Sequence, residues 1–157
     1  MKNELATLDT EGVQSRLVEL RGQRVLLDRD VAALYGVQTR EINQAIRNNP
    51  DKFPDGYVFE LSKSEFADWR SKILISDIPD EEKAGIRKGL RVAPNAFTER
   101  GLYMLATILK GDRAVKTTLA IIETYAQLRA MVRDMESLQT LKDGSAEQAQ
   151  KLFGGRA

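Results

Sequence analysis

Residues 28–47, DRDVAALYGVQTREINQAIR, constrain the fold more than any other stretch of the chain. Two short apolar-patterned runs meet there at a single glycine. In the first, Val31, Ala32, Leu34 and Tyr35 give an apolar face to a helix starting at Arg29, with Asp28 placed to cap it. Gly36 supplies the left-handed residue that ends such a helix, and Val37 follows as an apolar plug. Thr39 is placed to cap a second helix, Arg40 to Asn48, with Glu41 in the first turn, where the helix dipole favours an anion. Ile42, Ala45 and Ile46 share its inward face, and Asn49-Pro50 stops it. A helix-turn-helix needs a small residue where its helices touch, a turn residue tolerant of positive φ, and apolar anchors on both sides. Ala32, Gly36 and the set Val31, Tyr35, Val37 and Ile42 meet those needs.

Once the inward residues are set aside, the second helix shows Gln38, Thr39, Arg40, Asn43, Gln44, Arg47 and Asn48. Arg can donate a fork to guanine, and Asn or Gln can pair bidentately with adenine in the major groove. Arg40, Asn43, Gln44 and Arg47 are therefore the candidate base-reading residues, with Thr39 a candidate for phosphate. Two other uses of this face stay open. It could simply be solvated, although such faces are usually rich in Lys and Glu. It could also be a protein-interaction surface that binds a repressor or another protein without contacting DNA.

The flanks point to a mixed fold. Val18 and Leu20, then Val25 and Leu27, flank Arg21-Gly22 and predict a β-hairpin. Tyr57 to Leu61 reads as a strand, and Ser62-Lys63-Ser64-Glu65 as a capping box opening a helix that carries Phe66, Trp69, Ile73 and Leu74. Leu90 to Ala93 is a second candidate strand, expected to pair with 57–61 and to be ended by Pro94-Asn95. Residues 77–89 between them read as a charged loop. Arg87, Lys88 and Arg91 on this hairpin are further candidate phosphate contacts. Helices follow over Thr98 to Leu109 and from Asp112 to about Leu141, separated at Gly111. On the last, Ile121, Tyr125, Leu128, Val132 and Met135 form one apolar stripe, and Leu119, Ile122 and Ala126 form another beside it. Either both stripes pack within the monomer, or one meets a second copy in a homodimer.

The expected fold class is α+β: a small helix-turn-helix domain with short β-hairpins, winged-helix-like, backed by long C-terminal helices. Its expected organisation is a flexible N-terminus over 1–14, the domain over 15–133, and a helix end with a frayed tail over 134–157.

Composition narrows the chemistry. The 157 residues include no histidine and no cysteine, which excludes imidazole or thiolate metal sites, Ser-His-Asp triads and cysteine nucleophiles. Asp28 and Asp30 stand two apart at a helix start, and capping explains Asp28 without a metal. Gly85 to Gly89 lacks the spacing and the Ser/Thr of a phosphate-binding P-loop. No catalytic set and no cofactor site emerges, so no enzyme is expected. No apolar run approaches the roughly 18 residues of a membrane span, and residues 1–20 carry acids rather than a signal-peptide core. A cytoplasmic location is the default. The net charge is only +1, but residues 90–133 carry seven Lys/Arg against three Asp/Glu. Local excess of this kind suits a phosphate-facing surface only when it lies beside an element that reads bases.

Five short motifs, in order, resemble the N-terminal domain shared by phage antirepressor-like proteins, the KilA-N and "ORF-six" N-terminal domain group. They are Arg21-Gly22-Gln23, Leu27-Asp28-Arg29-Asp30, Leu34-Tyr35-Gly36-Val37, Phe53-Pro54 and Ala96-Phe97-Thr98-Glu99. The similarity runs from about Val18 to Arg129. It implies a bacterial, phage or prophage protein that binds double-stranded DNA in a regulatory or antirepressor setting, with no cofactor. Members of the group often continue into a C-terminal effector region, for which the residues after Met131 leave no room in this sequence.

Overall fold

The computed structural model describes residues 8–75, 79–81 and 92–153. The chain opens with helix α1 (Thr10–Arg16), which Asp9 caps by accepting from the Gly12 amide at 2.8 Å. The expected flexible N-terminus includes part of this helix. Its only buried side chain is Val13, 1% exposed, and that single anchor is too little to give a periodic signal in a polar segment.

Strands β1 (Val18–Leu20) and β2 (Gln23–Leu27) form the expected hairpin. Arg21 and Gly22 both have positive φ, 54° and 72°, which matches the twist of a tight two-residue turn. The register pairs Val18 with Val25 and Leu20 with Gln23. The other half of β2 pairs with β4 (Asn95–Phe97), and β4 pairs in turn with β3 (Val58–Glu60). All these pairings are antiparallel, so the expected hairpins merge into one four-stranded sheet of order β1-β2-β4-β3.

The second candidate strand lies later in the chain than Leu90 to Ala93. Val92 and Ala93 precede β4, and Leu90 and Arg91 lie outside the described residues. Pro94 ushers the strand in rather than ending it, since proline is tolerated before the first ladder position. Its carbonyl accepts from the Leu61 amide at 3.1 Å, extending the β3–β4 pairing by one bond.

Helices α2 (Asp28–Tyr35) and α3 (Thr39–Asn48) are the helix-turn-helix pair. Each begins one residue earlier than expected, so Asp28 and Thr39 are first helical residues and Leu27 and Gln38 stand in the cap positions. Helix α4 (Lys63–Ile75) opens on the expected capping box: Ser62 Oγ accepts from the Glu65 amide, and Glu65 Oε1 from the Ser62 amide. It buries Trp69 with Leu61, Val25, Leu27 and Ala96 in a small core of its own.

Helix α5 (Glu99–Ala106) is capped by Thr98, whose Oγ1 accepts from the Gly101 amide and donates to the Tyr57 carbonyl. Gly101 is required there, because a Cβ would lie 2.1 Å from that same carbonyl oxygen. The final helix, α6 (Asp112–Phe153), runs 42 residues, or about 63 Å. Through Leu128 it packs Ala114, Ala120, Ile121 and Tyr125 into the main core beneath α1, α2 and α5. From Met131 to Lys142 every side chain is exposed. The stripe that buries Ile121, Tyr125 and Leu128 therefore continues outward through Val132 and Met135.

Candidate nucleic-acid interface

Helix α3 is held from below by apolar contacts. Ile42 is fully buried (0% exposed), and Ala45 and Ile46 pack half-buried against the same core. Its N-terminus is closed by Glu41, whose carboxylate accepts from the Gln38 amide at 2.7 Å. Its partner α2 is fixed against α6. Tyr35 Oη shares a 2.6 Å hydrogen bond with Thr118 Oγ1, and Thr117 Oγ1 donates to the Leu34 carbonyl. Between the helices Gly36 adopts φ 71°, and the Arg113 guanidinium lies so close that a Cβ would stand 2.5 Å from its central carbon. Gly36 thus provides both the left-handed turn and the space for an arginine that points a donor at the Ala33 carbonyl.

The rigid underside presents a defined outer face. Arg40, Gln44 and Arg47 are all exposed, and their spacing of four and three places them on one stripe, with exposed Asn48 beside it. Among the described residues, none of these four side chains has a hydrogen bond or ion pair. Thr39 is half-buried at the start of the helix.

Asn43 stands at the edge of the stripe and turns toward the body. Its Nδ2 donates to Asp28 Oδ2 at 3.1 Å, and its Oδ1 accepts from Asn95 Nδ2 at 3.0 Å. The structure therefore brings Arg40, Gln44 and Arg47 together and ties Asn43 inward. Arg87, Lys88 and Arg91, the other candidate phosphate contacts, lie outside the described residues.

Other charged groups serve the fold. Arg16 pairs with Asp30 at 2.9 Å, and burial nevertheless raises the Asp30 carboxyl above its ordinary range. Arg21 forks onto Glu65 with bonds of 3.0 and 3.1 Å, and this donor, with the Ser62 amide, lowers the Glu65 carboxyl to about 2. Glu99 accepts from both Tyr103 Oη and Arg129 Nη1. Burial, then the carboxylate of Glu99, pushes the Tyr103 phenol up to about 12, and burial raises Tyr125 as well. Among the described residues no three Asp or Glu gather as metal ligands, and no helix is long and apolar enough to cross a membrane.

Sequence reasoning missed two residues that support the helix pair from outside its stripe. Asn95 reaches the helix pair from 52 residues beyond Asn43, brought in by a strand pairing that no local pattern announces. Arg113 reaches the turn from the start of α6. The one available signal for it was the glycine, whose missing side chain leaves room for a neighbour.

One family model, the ORF6N domain, matches residues 15–108. The match takes in the sheet, the helix pair, α4 and α5, and ends before α6. No curated protein and no solved structure matches the chain.

Proposed function

The chain belongs to the ORF6N domain family, the phage ORF-six N-terminal group, and from that premise we propose that it is a sequence-specific reader of double-stranded DNA. The family suggests a phage-type regulatory or antirepressor-like protein. On this reading it works in the bacterial cytoplasm, by binding alone, without catalysis or cofactor. The observation that carries the reading is the stripe of Arg40, Gln44 and Arg47, with all its donors unspent among the described residues, on a helix whose opposite face is buried. Helix α3 enters the major groove. Its arginines fork onto guanine, and Gln44 is matched to adenine. Thr39 at the helix start, with Arg87, Lys88 and Arg91, serves the phosphates.

A sequence pI near 7.9 is low for a DNA-binding domain. It implies few phosphate contacts, so affinity on random DNA should be weak. The outer part of α6 supports a homodimer, since Met131, Val132, Met135 and Leu138 are all more than half exposed and repeat at the spacing of a helix-pairing seam. A dimer of this kind reads two half-sites about 34–36 Å apart in a palindromic operator. Sedimentation of a strict monomer at tens of micromolar would remove the dimer and leave DNA reading intact.

Fluorescence anisotropy against a random-sequence duplex pool, at about 50 and 200 mM salt, tests the central claim, followed by sequencing of what binds. A salt-sensitive complex that enriches one motif supports it. Folded protein that binds nothing at low salt would put the protein-interaction module in its place.

A further inference from the structure

We propose that Asp28, Asn43 and Asn95 form a positioning network that sets the roll of α3 about its own axis, and that Asn43 acts there rather than on a base. The inference rests on the DNA-reading function above. Asp28 is a carboxylate only 5% exposed, and burying one is costly unless N–H donors surround it. Here three do. Oδ1 accepts from the Arg29 amide at 2.8 Å, and Oδ2 from Asn43 Nδ2 at 3.1 Å and the Asn95 amide at 3.2 Å. Asn95 Nδ2 then closes the circuit on Asn43 Oδ1. One buried acid thereby joins the start of α2, the middle of α3 and the first residue of β4.

The Asn43 amide has no free choice of orientation. Turning it over would set its oxygen against the Asp28 carboxylate and its NH2 against the donor of Asn95. Bidentate pairing with adenine needs the same two atoms facing the groove, and both face the body. Ile42, Ala45 and Ile46 keep α3 against the core, but apolar contact is non-directional and tolerates rotation. The Asn43 bonds are directional. A roll of about 20° on a helix some 5–6 Å in radius moves the outer atoms by about 2 Å, well beyond the ~0.5 Å tolerance of a bidentate contact. Arg40, Gln44 and Arg47 share one rigid helix, so such a roll misplaces all three together.

Asn95 is the informative position, because it lies on the sheet and outside the reading stripe. The experiment takes the full chain, the duplex selected by the unaltered protein, and every single base-pair change in that duplex. Asn95→Ala is expected to lower discrimination at every read base pair, on the order of tenfold at each, while binding to random DNA stays unchanged. Asn43→Ala is expected to share that even profile, and the double variant to do no worse than the poorer single. Arg47→Ala, by contrast, loses discrimination at one position. An unchanged Asn95→Ala profile overturns the proposal, as does an Asn43→Ala loss confined to one base pair.

Amide hydrogen exchange provides an arm without DNA. In Asn95→Ala, residues 39–48 are expected to lose protection while 112–128 keep theirs, and equal protection in variant and parent overturns the network. If the unaltered chain selects no DNA, the reading function falls and the exchange arm still decides whether the network holds α3. Should Asn95→Ala fail to fold, Asn43→Ala retains the backbone bond from Asn95 to Asp28 and supports both measurements.

Discussion

Helices α3 and α4 start alike and are used differently. Each is closed by a glutamate in its first turn that accepts from the cap residue's amide, Glu41 from Gln38 at 2.7 Å and Glu65 from Ser62 at 2.8 Å. On α4 several groups then close on the chain itself, although among the described residues Lys63 and Arg70 do not. Glu65 takes the Arg21 fork, Asp68 pairs with Lys72 at 3.0 Å, and the Arg29 guanidinium sits 5.9 Å from the centre of the Trp69 ring. On α3, Arg40, Gln44 and Arg47 close on nothing among the described residues. Capping and burial make both helices. Among the described residues, the α3 stripe of Arg40, Gln44 and Arg47 keeps all its donors for a partner. The difference supports the proposed interface on α3 more directly than net charge does, because a paired cation counts toward charge yet has few donors to offer.

The contrast breaks first at the buried anchor. Ile42→Ala removes a fully buried side chain from beneath α3 and should cost about 2–5 kcal/mol of folding stability, read from denaturant melts. A smaller loss would mean that α3 is held mainly by its polar edge. The next largest effect lies on the outer face and leaves stability alone. Arg47→Ala should change folding by less than about 0.5 kcal/mol. It should also cost about 1–3 kcal/mol of discrimination at one base pair of the selected duplex. Asp68→Ala on α4 should leave DNA binding untouched. An equal loss of binding from both changes would erase the distinction between the helices.

The caps come third. Glu41→Ala leaves the Gln38 amide without its carboxylate and should cost about 0.3–1.5 kcal/mol, measured as a shift in melting temperature. Because α3 carries the proposed reading stripe, the same change should weaken specific binding in step with stability. Loss of binding with unchanged melting would assign Glu41 to the interface instead.

Much of this was legible from local pattern. The turn at Arg21-Gly22, the glycine between α2 and α3, the Ser62–Glu65 box and the inward set of α3 all depend on residues within about one helical turn of each other, where short-range rules operate. The family resemblance read from five motifs agrees with the ORF6N match. What escaped was set by distant partners. Helix α1 stands on one buried valine, β4 begins at Asn95 where Pro94-Asn95 is expected to end a strand, and Asp28 reads as a cap although Asn95, 67 residues on, helps to satisfy its other oxygen. Asn43 reads on the page like Gln44, since both are amides on a polar face. One step of about 100° around the helix takes its side chain from the outer stripe to the body.

The smallest expected effect tests the other half of the comparison, whether the groups on α4 are truly spent on the fold. The fork from Arg21 is the largest cause of the lowered Glu65 carboxyl, which falls from 4.5 to about 2. A carboxyl lowered on folding stabilises fully above its unfolded value, and the contribution fades as pH falls from 4.5 toward 2. The unaltered chain and Glu65→Gln should therefore differ in stability near neutrality and converge toward pH 2. Because the pair sits at the surface, added salt should also shrink the gap at neutral pH. Arg21→Ala should reproduce part of the same pH dependence, leaving the share that comes from the Ser62 amide. Two acid-side melting curves that run parallel from pH 7 to 2 would show that Arg21 and Glu65 do not hold each other in solution. In that case Glu65 would be free charge like that of the α3 stripe, and this pair would no longer set the two helices apart.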